Sequence, residues 1–261
     1  MHLNCKNNLL YWTFGNLAAC RGVVHGIFTR CGGLSSGPFA GLNVGKNGGD
    51  DPGAVEQNRK SITDCMENGK LFFLSQVHGT QVIAMEDAHN TANAPGAMKA
   101  AICPEADAAL TCRPVQMLTI QVADCQSVML HDPEKKAVAN IHAGWRGSIG
   151  GIVGRCVDEL ETRFGTNPSA LVCGIGPSLG PCCAEFINHE TEIPAHFRKY
   201  KDEKDRFNFW QITHDQLVEK GVRPSRIEWS NLCTRCNTHL LYSYRQANTT
   251  GRFAAVIGLT G

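Results

Sequence analysis

The residues best equipped for chemistry lie in Ala123-Asp124-Cys125 and in His142-Ala143-Gly144-Trp145-Arg146-Gly147. Two apolar runs, 127–130 and 137–141, separate these segments, with His131-Asp132-Pro133 and Lys135-Lys136 between the runs. Asp-Pro between alternating runs predicts a turn. The chain then folds back as a hairpin that sets Cys125, near the start of one strand, beside His142 at the end of the other. Upstream, Ser75-Gln76-Val77-His78-Gly79-Thr80 places another histidine between the apolar runs 71–74 and 82–85, followed by a glycine where the chain must bend. Two imidazoles and a thiolate make a three-ligand set for zinc. Three protein ligands leave a fourth position for water, which is the usual arrangement of catalytic zinc. The same residues also allow a thiolate nucleophile, Cys125 paired with His142 or His78, or a binding site without turnover.

The elements that must position these groups can be read from the flanking patterns. A buried strand over 115–122 delivers Asp124 and Cys125. On an extended chain those two neighbours point to opposite faces, so either the chain bends there or Asp124 supports the site from behind. Asp107, ahead of an apolar run, reads as a carboxylate that orients a site residue. After Gly147, apolar residues recur from Ile149 to Phe164 at spacings of three and four, which predicts one amphipathic helix ended by Gly165. Its start lies against Trp145-Arg146-Gly147-Ser148, where backbone N–H groups suit an anion near the metal.

Asp51 and Pro52 open a helix expected over 52–68, on which Val55, Arg59, Ile62 and Met66 share a stripe; Arg59 either lies along a core face or reaches an anion. Arg30 stands at the mouth of the Gly- and Ser-rich loop 31–38, a setting equally suited to an oxyanion contact and to a plain surface turn. Further strands are expected over 23–29, 170–175, 227–229, 240–244 and 252–259, and a short helix over 213–220 capped by Thr213. The segment 9–14 is ambiguous, 91–101 reads as a loop, and His189 and His196 read as solvent-side.

At 261 residues, with 43% apolar and 19% charged residues, the chain suits a globular enzyme. Its net charge of +1 supplies no global field for nucleic acid or an anionic membrane. No signal segment or run of about 18 apolar residues is evident, so a cytoplasmic protein is expected. The thirteen cysteines, an odd number, read as reduced thiols. Cys5, Cys20, Cys31, Cys65, Cys103, Cys112, Cys156 and Cys173 read as small buried hydrophobes. Cys182-Cys183 is a vicinal pair in a turn. Cys233-Thr234-Arg235-Cys236, followed by His239, has the start of a zinc motif but no second CxxC at finger spacing, so loss of the Cys236 thiol is expected to leave metal content unchanged.

Strands outnumber helices, hairpins mix with one strand-helix-strand unit, and an α+β fold with a mixed sheet follows. The chain resembles the YfiH-like family, also labelled multicopper polyphenol oxidase, laccase-domain protein, peptidoglycan editing factor or purine nucleoside phosphorylase. Besides the segments above, the resemblance rests on His25-Gly26-Ile27-Phe28-Thr29-Arg30, Leu42-Asn43-Val44-Gly45, Gln57-Asn58-Arg59, Gly174-Ile175-Gly176-Pro177, Cys233-Thr234, Ser243-Tyr244-Arg245 and Gly251-Arg252. It implies a single domain over residues 1–261, an α/β/β/α sandwich of mixed sheets layered with helices, and association into homodimers. It implies a metal on His78, Cys125 and His142, with Asp124, Cys125 and Arg146 at the reacting centre and a substrate-facing loop that includes Arg30 and Asn43. Its implied activities are phosphorolysis of adenosine, inosine, guanosine or methylthioadenosine and deamination of adenosine, with Arg30, Arg59, Arg146 and Arg245 as the supply of phosphate ligands.

Zinc would make water nucleophilic near neutrality, which suits attack on C6 of adenosine. Copper is disfavoured, because a multicopper oxidase needs paired His-x-His segments and the ten histidines here include none. Small-molecule partners, purine nucleosides and phosphate, are therefore expected rather than nucleic acid or membrane. An editing hydrolase acting on a cell-wall precursor is the alternative.

Overall fold

The computed structural model describes residues 1–66, 69–85 and 104–261. The loop expected over 91–101, Cys103 and the end of the helix expected over 52–68 lie outside the described residues. Two six-stranded sheets form the centre. The first holds β1 (His2–Lys6), β2 (Leu9–Thr13), β3 (Val23–Phe28), β4 (Lys70–Phe73), β7 (Gln116–Val122) and β12 (Phe253–Leu259), in the order β1-β2-β3-β12-β7-β4. The second holds β5 (Val82–Ala84), β6 (Ala108–Thr111), β8 (Gln126–Asp132), β9 (Ala137–Ala143), β10 (Val172–Ile175) and β11 (Ile227–Trp229), in the order β11-β10-β8-β9-β6-β5. Both sheets are mixed: β4 with β7, β5 with β6 and β10 with β11 pair parallel, and the remaining pairs are antiparallel.

Period-two alternation assigns each central strand two buried faces. On β7 and β12, Leu118, Ile120, Val122, Phe253, Ala255 and Ile257 meet Met129 and Val138 of the other sheet. Met117, Ala254 and Val256 turn outward, where they pack with Ile62 and Cys65 of α2 (Pro52–Cys65). On the second sheet, Val128, Leu130, Ala139 and Ile141 face outward onto Ile152, Val153, Cys156, Val157 and Leu160 of α4 (Ile152–Phe164). Helix, sheet, sheet and helix are therefore stacked in that order. Each fully buried Leu or Ile contributes about 1.5–3 kcal/mol. Asn140 is buried between the sheets, and its amide donates to the carbonyls of Leu118 and Ala255 on the facing sheet, both at 2.9 Å.

Several local expectations are corrected. The helix expected from Ile149 to Phe164 is two helices, α3 (Trp145–Ile149) and α4, because Gly151 takes a left-handed φ of 78° between them. The helix expected over 213–220 starts earlier, as α6 (Phe209–Glu219), with Asn208 rather than Thr213 accepting the cap bond, from the Gln211 amide. Residues 240–244 form turns and not a strand; the Tyr242 hydroxyl donates to the carbonyls of Phe39 and Ala40 instead. His189 is buried and contacts Asp205 at 3.1 Å, whereas His196 is exposed as expected. Among the cysteines read as buried hydrophobes, Cys65, Cys156 and Cys173 are buried, while Cys5 and Cys112 are exposed.

Candidate metal centre and its cavity

The hairpin forms as expected. Ser127 of β8 pairs with His142 of β9, and Cys125 precedes β8 at the same end. Asp132 holds the far turn, its Oδ1 accepting from the amides of Glu134 and Lys135. Asp124 resolves the choice left open by sequence: its φ of 89° bends the chain and turns Cys125 toward His142. The thiol of Cys125 and one ring nitrogen each of His78 and His142 lie within 4.8 Å of one another.

Asp107 builds this geometry. One carboxylate oxygen lies 2.7 Å from His142 Nδ1, which directs Nε2 toward Cys125 and fixes the imidazole as carboxylates do behind metal-binding histidines. Its two oxygens also accept from the successive amides of Val77, His78 and Gly79, at 3.3, 2.9 and 2.7 Å. That cradle holds His78 at a φ of 60°, a conformation uncommon outside glycine. The reciprocal bonds between Gln76 and the Gln121 backbone, both 2.8 Å, fasten the same segment to the end of β7. Gly144 completes the room for three ligands, since a Cβ there would stand 3.1 Å from His78 and 3.3 Å from the Cys125 sulfur.

Burial raises the Cys125 thiol, but the charge and hydrogen bond of His142, with a bond from His78, outweigh it and bring the thiol down to about 6. His142 moves the opposite way. Burial lowers it, yet the Cys125 charge and Asp107 carry it up to about 9. Asp107 is held below the usual carboxylate range: burial raises it, and the bonds from His142, Gly79 and His78 prevail. A thiolate facing two histidines is a donor set that fits zinc, with His142 giving up its added proton when an ion binds.

These ligands open on a cavity of about 900 Å³. Its walls carry Lys46, Arg59, Arg146, Arg245 and Arg252, opposed among the described residues by one acidic side chain, Asp124. Both Asp124 oxygens are engaged, one by the Thr234 hydroxyl at 2.5 Å and the other by the Arg245 amide at 2.6 Å, so its carboxylate braces two loops. Phe39, Phe73, Trp145, Phe186, Phe209 and Tyr244 supply flat apolar surface.

The four arginines named from sequence part company here. Arg30 does not line the cavity: its guanidinium donates to the carbonyls of Ala40 and Thr238 and lies over Tyr242. Arg59 donates to the Val44 carbonyl and stacks on Phe73, 3.7 Å from the ring centroid. Arg245 donates to the Glu185 carbonyl. Arg146 is exposed over the Trp145 ring, and among the described residues no hydrogen bond or ion pair occupies its guanidinium. Asn43 is buried and accepts from the amides of Gly45 and Arg252, so it shapes the cavity rim rather than presenting free donors. Lys46 and the aromatic walls carry no local sequence signal, because they come from separate strands, helices and loops that only the fold brings together. Arg252, already within the Gly251-Arg252 motif, was not assigned to the site; its side chain donates to the Thr250 and Gly251 carbonyls.

The helix expected to present its N-terminus to an anion is only the five-residue α3. A second cysteine cluster also appears: Cys182 and Cys183 stand beside Cys233 and Cys236, the four sulfurs within 4.8 Å. The partner pair that CxxC lacked at finger spacing is thus supplied by the distant vicinal pair.

An α/β/β/α sandwich with a Cys-His-His group that could hold a metal, lining a cationic cavity, defines the class of protein. Residues 24–260 match the family described as multi-copper polyphenol oxidoreductase laccase. The chain belongs to that family, in its YfiH/YlmD-like branch. It is 33% identical over 252 residues to purine nucleoside phosphorylase YlmD of Geobacillus stearothermophilus, covering 91% of this chain and 90% of that one. It is 31% identical over 248 residues to purine nucleoside phosphorylase YfiH of Escherichia coli, covering 92% and 95%. The crystal structure of YlmD from Geobacillus stearothermophilus superposes with a TM-score of 0.84 at 29% identity over 99% of both chains, and that of Bacillus licheniformis YfiH with 0.84 at 29% over 98% and 97%. Among the described residues no helix is long and apolar enough to cross a membrane.

Proposed function

We propose that this protein is a zinc-dependent purine nucleoside phosphorylase that also deaminates adenosine. The observation that carries this reading is the pairing of five cationic side chains with flat aromatic walls in one cavity, at whose end stand His78, Cys125 and His142. Aromatic faces suit a purine, and guanidinium groups suit phosphate. In phosphorolysis a phosphate oxygen bonds to C1′ of the ribose. The bond from C1′ to N9 breaks, its electron pair leaves with the base, and the base takes up a proton. Arg146, whose donors are unoccupied among the described residues, and Arg245 hold the phosphate and offset its negative charge as one of its oxygens approaches C1′.

When bound by His78, Cys125 and His142, zinc supplies Lewis acidity that activates water near neutral pH. In deamination, water adds at C6 and ammonia leaves, which yields inosine. Copper redox chemistry of the multicopper type has less support, because among the described residues the His78-Cys125-His142 set is the only histidine-bearing ligand group.

The test is product analysis of adenosine, inosine, guanosine and methylthioadenosine with and without phosphate. Ribose 1-phosphate should form only with phosphate, and inosine from adenosine in either case. If no nucleoside yields base or inosine under any condition, the phosphorylase reading is wrong and a cell-wall precursor hydrolase takes its place.

A further inference from the structure

We propose that Cys182, Cys183, Cys233 and Cys236 form a second, structural zinc site, separate from the His78-Cys125-His142 centre and independent of the function proposed above. All four thiols are free, and their sulfurs lie within 4.8 Å of one another. The Cys236 sulfur stands 3.7 Å from that of Cys182 and 3.6 Å from that of Cys183. A tetrahedral ion with Zn–S bonds of about 2.3 Å places its sulfurs about 3.8 Å apart, so these separations already approximate the coordination shell. Four thiolates without a hard oxygen donor select zinc over magnesium or calcium.

The surrounding backbone supports this assignment. Adjacent cysteines diverge on a strand, but Cys182 and Cys183 occupy a turn closed by the amides of Cys183 and Ala184 on the Gly180 carbonyl, at 2.8 and 3.0 Å. Cys233 is buried, and its sulfur accepts from the Gly180 amide at 3.3 Å and from the Cys236 amide. Backbone N–H donors aimed at a sulfur stabilise its thiolate and hold it in place for a metal. Gly180 permits this approach, since a Cβ there would lie 3.0 Å from the Cys233 Cβ and 2.8 Å from Trp210. Arg206, ion-paired with Asp202, also donates to the Cys182 carbonyl and so ties this turn to a neighbouring segment.

The site would staple two loops with little regular structure of their own. A bridge of Ser178 with Cys233 joins them, and between Cys233 and Cys236 sits Thr234, the donor to Asp124. Leu179, three residues before Cys182, donates its amide to the Asp124 carbonyl. Metal binding here would therefore fix the brace beside Cys125 without reaching the cavity.

The full-length protein, purified under reducing conditions with zinc and then desalted, should carry two zinc ions per chain. Cys182→Ser/Cys236→Ser should carry one, Cys125→Ala one, and the triple variant none. If the double variant does not fold, cobalt titration of the metal-stripped wild type reads the same point: a four-sulfur site gives a sulfur-to-cobalt charge-transfer band far stronger than the single thiolate of the other centre, and it persists in Cys125→Ala. One zinc per chain in both wild type and double variant would overturn the proposal. So would absence of the strong band in Cys125→Ala, or a disulfide among the four cysteines in the purified protein.

Discussion

Asp107 organises the candidate metal centre from behind its ligands. It sets the His142 ring and, through three amides, the left-handed turn at His78. Replacing it with Asn keeps the shape but removes the charge behind the ring. Metal affinity of the His78-Cys125-His142 site should fall about 10–100-fold in Asp107→Asn, read by competition with a chelator, while Cys125→Ala should remove that one equivalent entirely. An unchanged affinity in Asp107→Asn would mean that the ring is fixed by something else. On the phosphate side, Arg146→Ala should raise the KM for phosphate tenfold or more, since a hydrogen bond to a charged group is worth about 1.5–3 kcal/mol. Arg30→Ala should leave that KM unaltered, because its guanidinium is spent on the Ala40 and Thr238 carbonyls. Equal effects of both substitutions would return Arg30 to the site.

At the scale of elements, the junction of β3 with α1 (Gly15–Ala18) contains a pH-sensitive contact remote from the cavity. His25 is buried, and its Nε2 accepts the Phe14 amide at 2.8 Å, which only the neutral ring can do. Burial takes its pKa down to about 4. The unfolded chain, with an ordinary imidazole, binds this proton more readily than the folded one, so stability is full above the unfolded value and falls as pH drops toward 4. Linkage gives a loss of about 2 kcal/mol between pH 7 and pH 5. Urea unfolding of wild type and His25→Gln at the two pH values isolates it: the variant should lack this component of the acid sensitivity, and equal sensitivity in both would assign it to other groups.

The elements also show why sequence carried some features and not others. The hairpin, the placing of Cys125 beside His142 at its end and the start of α2 were legible because each rests on local signals: alternation, Asp-Pro, Asp51 before Pro52. Asp51 indeed accepts from the Ala54 amide at 2.7 Å. The break at Gly151 was not, since the apolar spacing runs through it undisturbed. The cationic cavity was legible only in pieces, because Lys46, Arg146 and Arg252 come from three distant segments, Arg146 from α3 and the others from loops, that only the tertiary fold brings together. Cys182-Cys183 and Cys233-x-x-Cys236 were each visible, but their juxtaposition depends on a bridge between loops that no spacing rule encodes.

For the molecule as a whole, the contact between the sheets is the quantity to test. Layering was expected only through family resemblance, whereas alternation alone would have suited several sandwich arrangements. Asn140 is the polar tie across that contact, and its two donors reach carbonyls on β7 and β12. Asn140→Ala removes both cross-sheet hydrogen bonds and leaves a void, so a loss of about 2–4 kcal/mol in urea unfolding is expected. A loss under about 0.5 kcal/mol would show that the apolar layers register without it.

The pairing of Ser127 with His142 also makes strand length a variable of the metal centre. Side chains alternate along a strand, so a single residue inserted in β8 or β9 between the turn and the ligands rotates one ligand toward the α4 side while its partner stays. An insertion within the turn itself moves neither. Single-residue insertions walked along 126–143 should therefore divide sharply, tolerated at 133–136 and abolishing metal binding on either side. Over evolutionary time this hairpin can lengthen at its turn but not along the strands that carry its ligands.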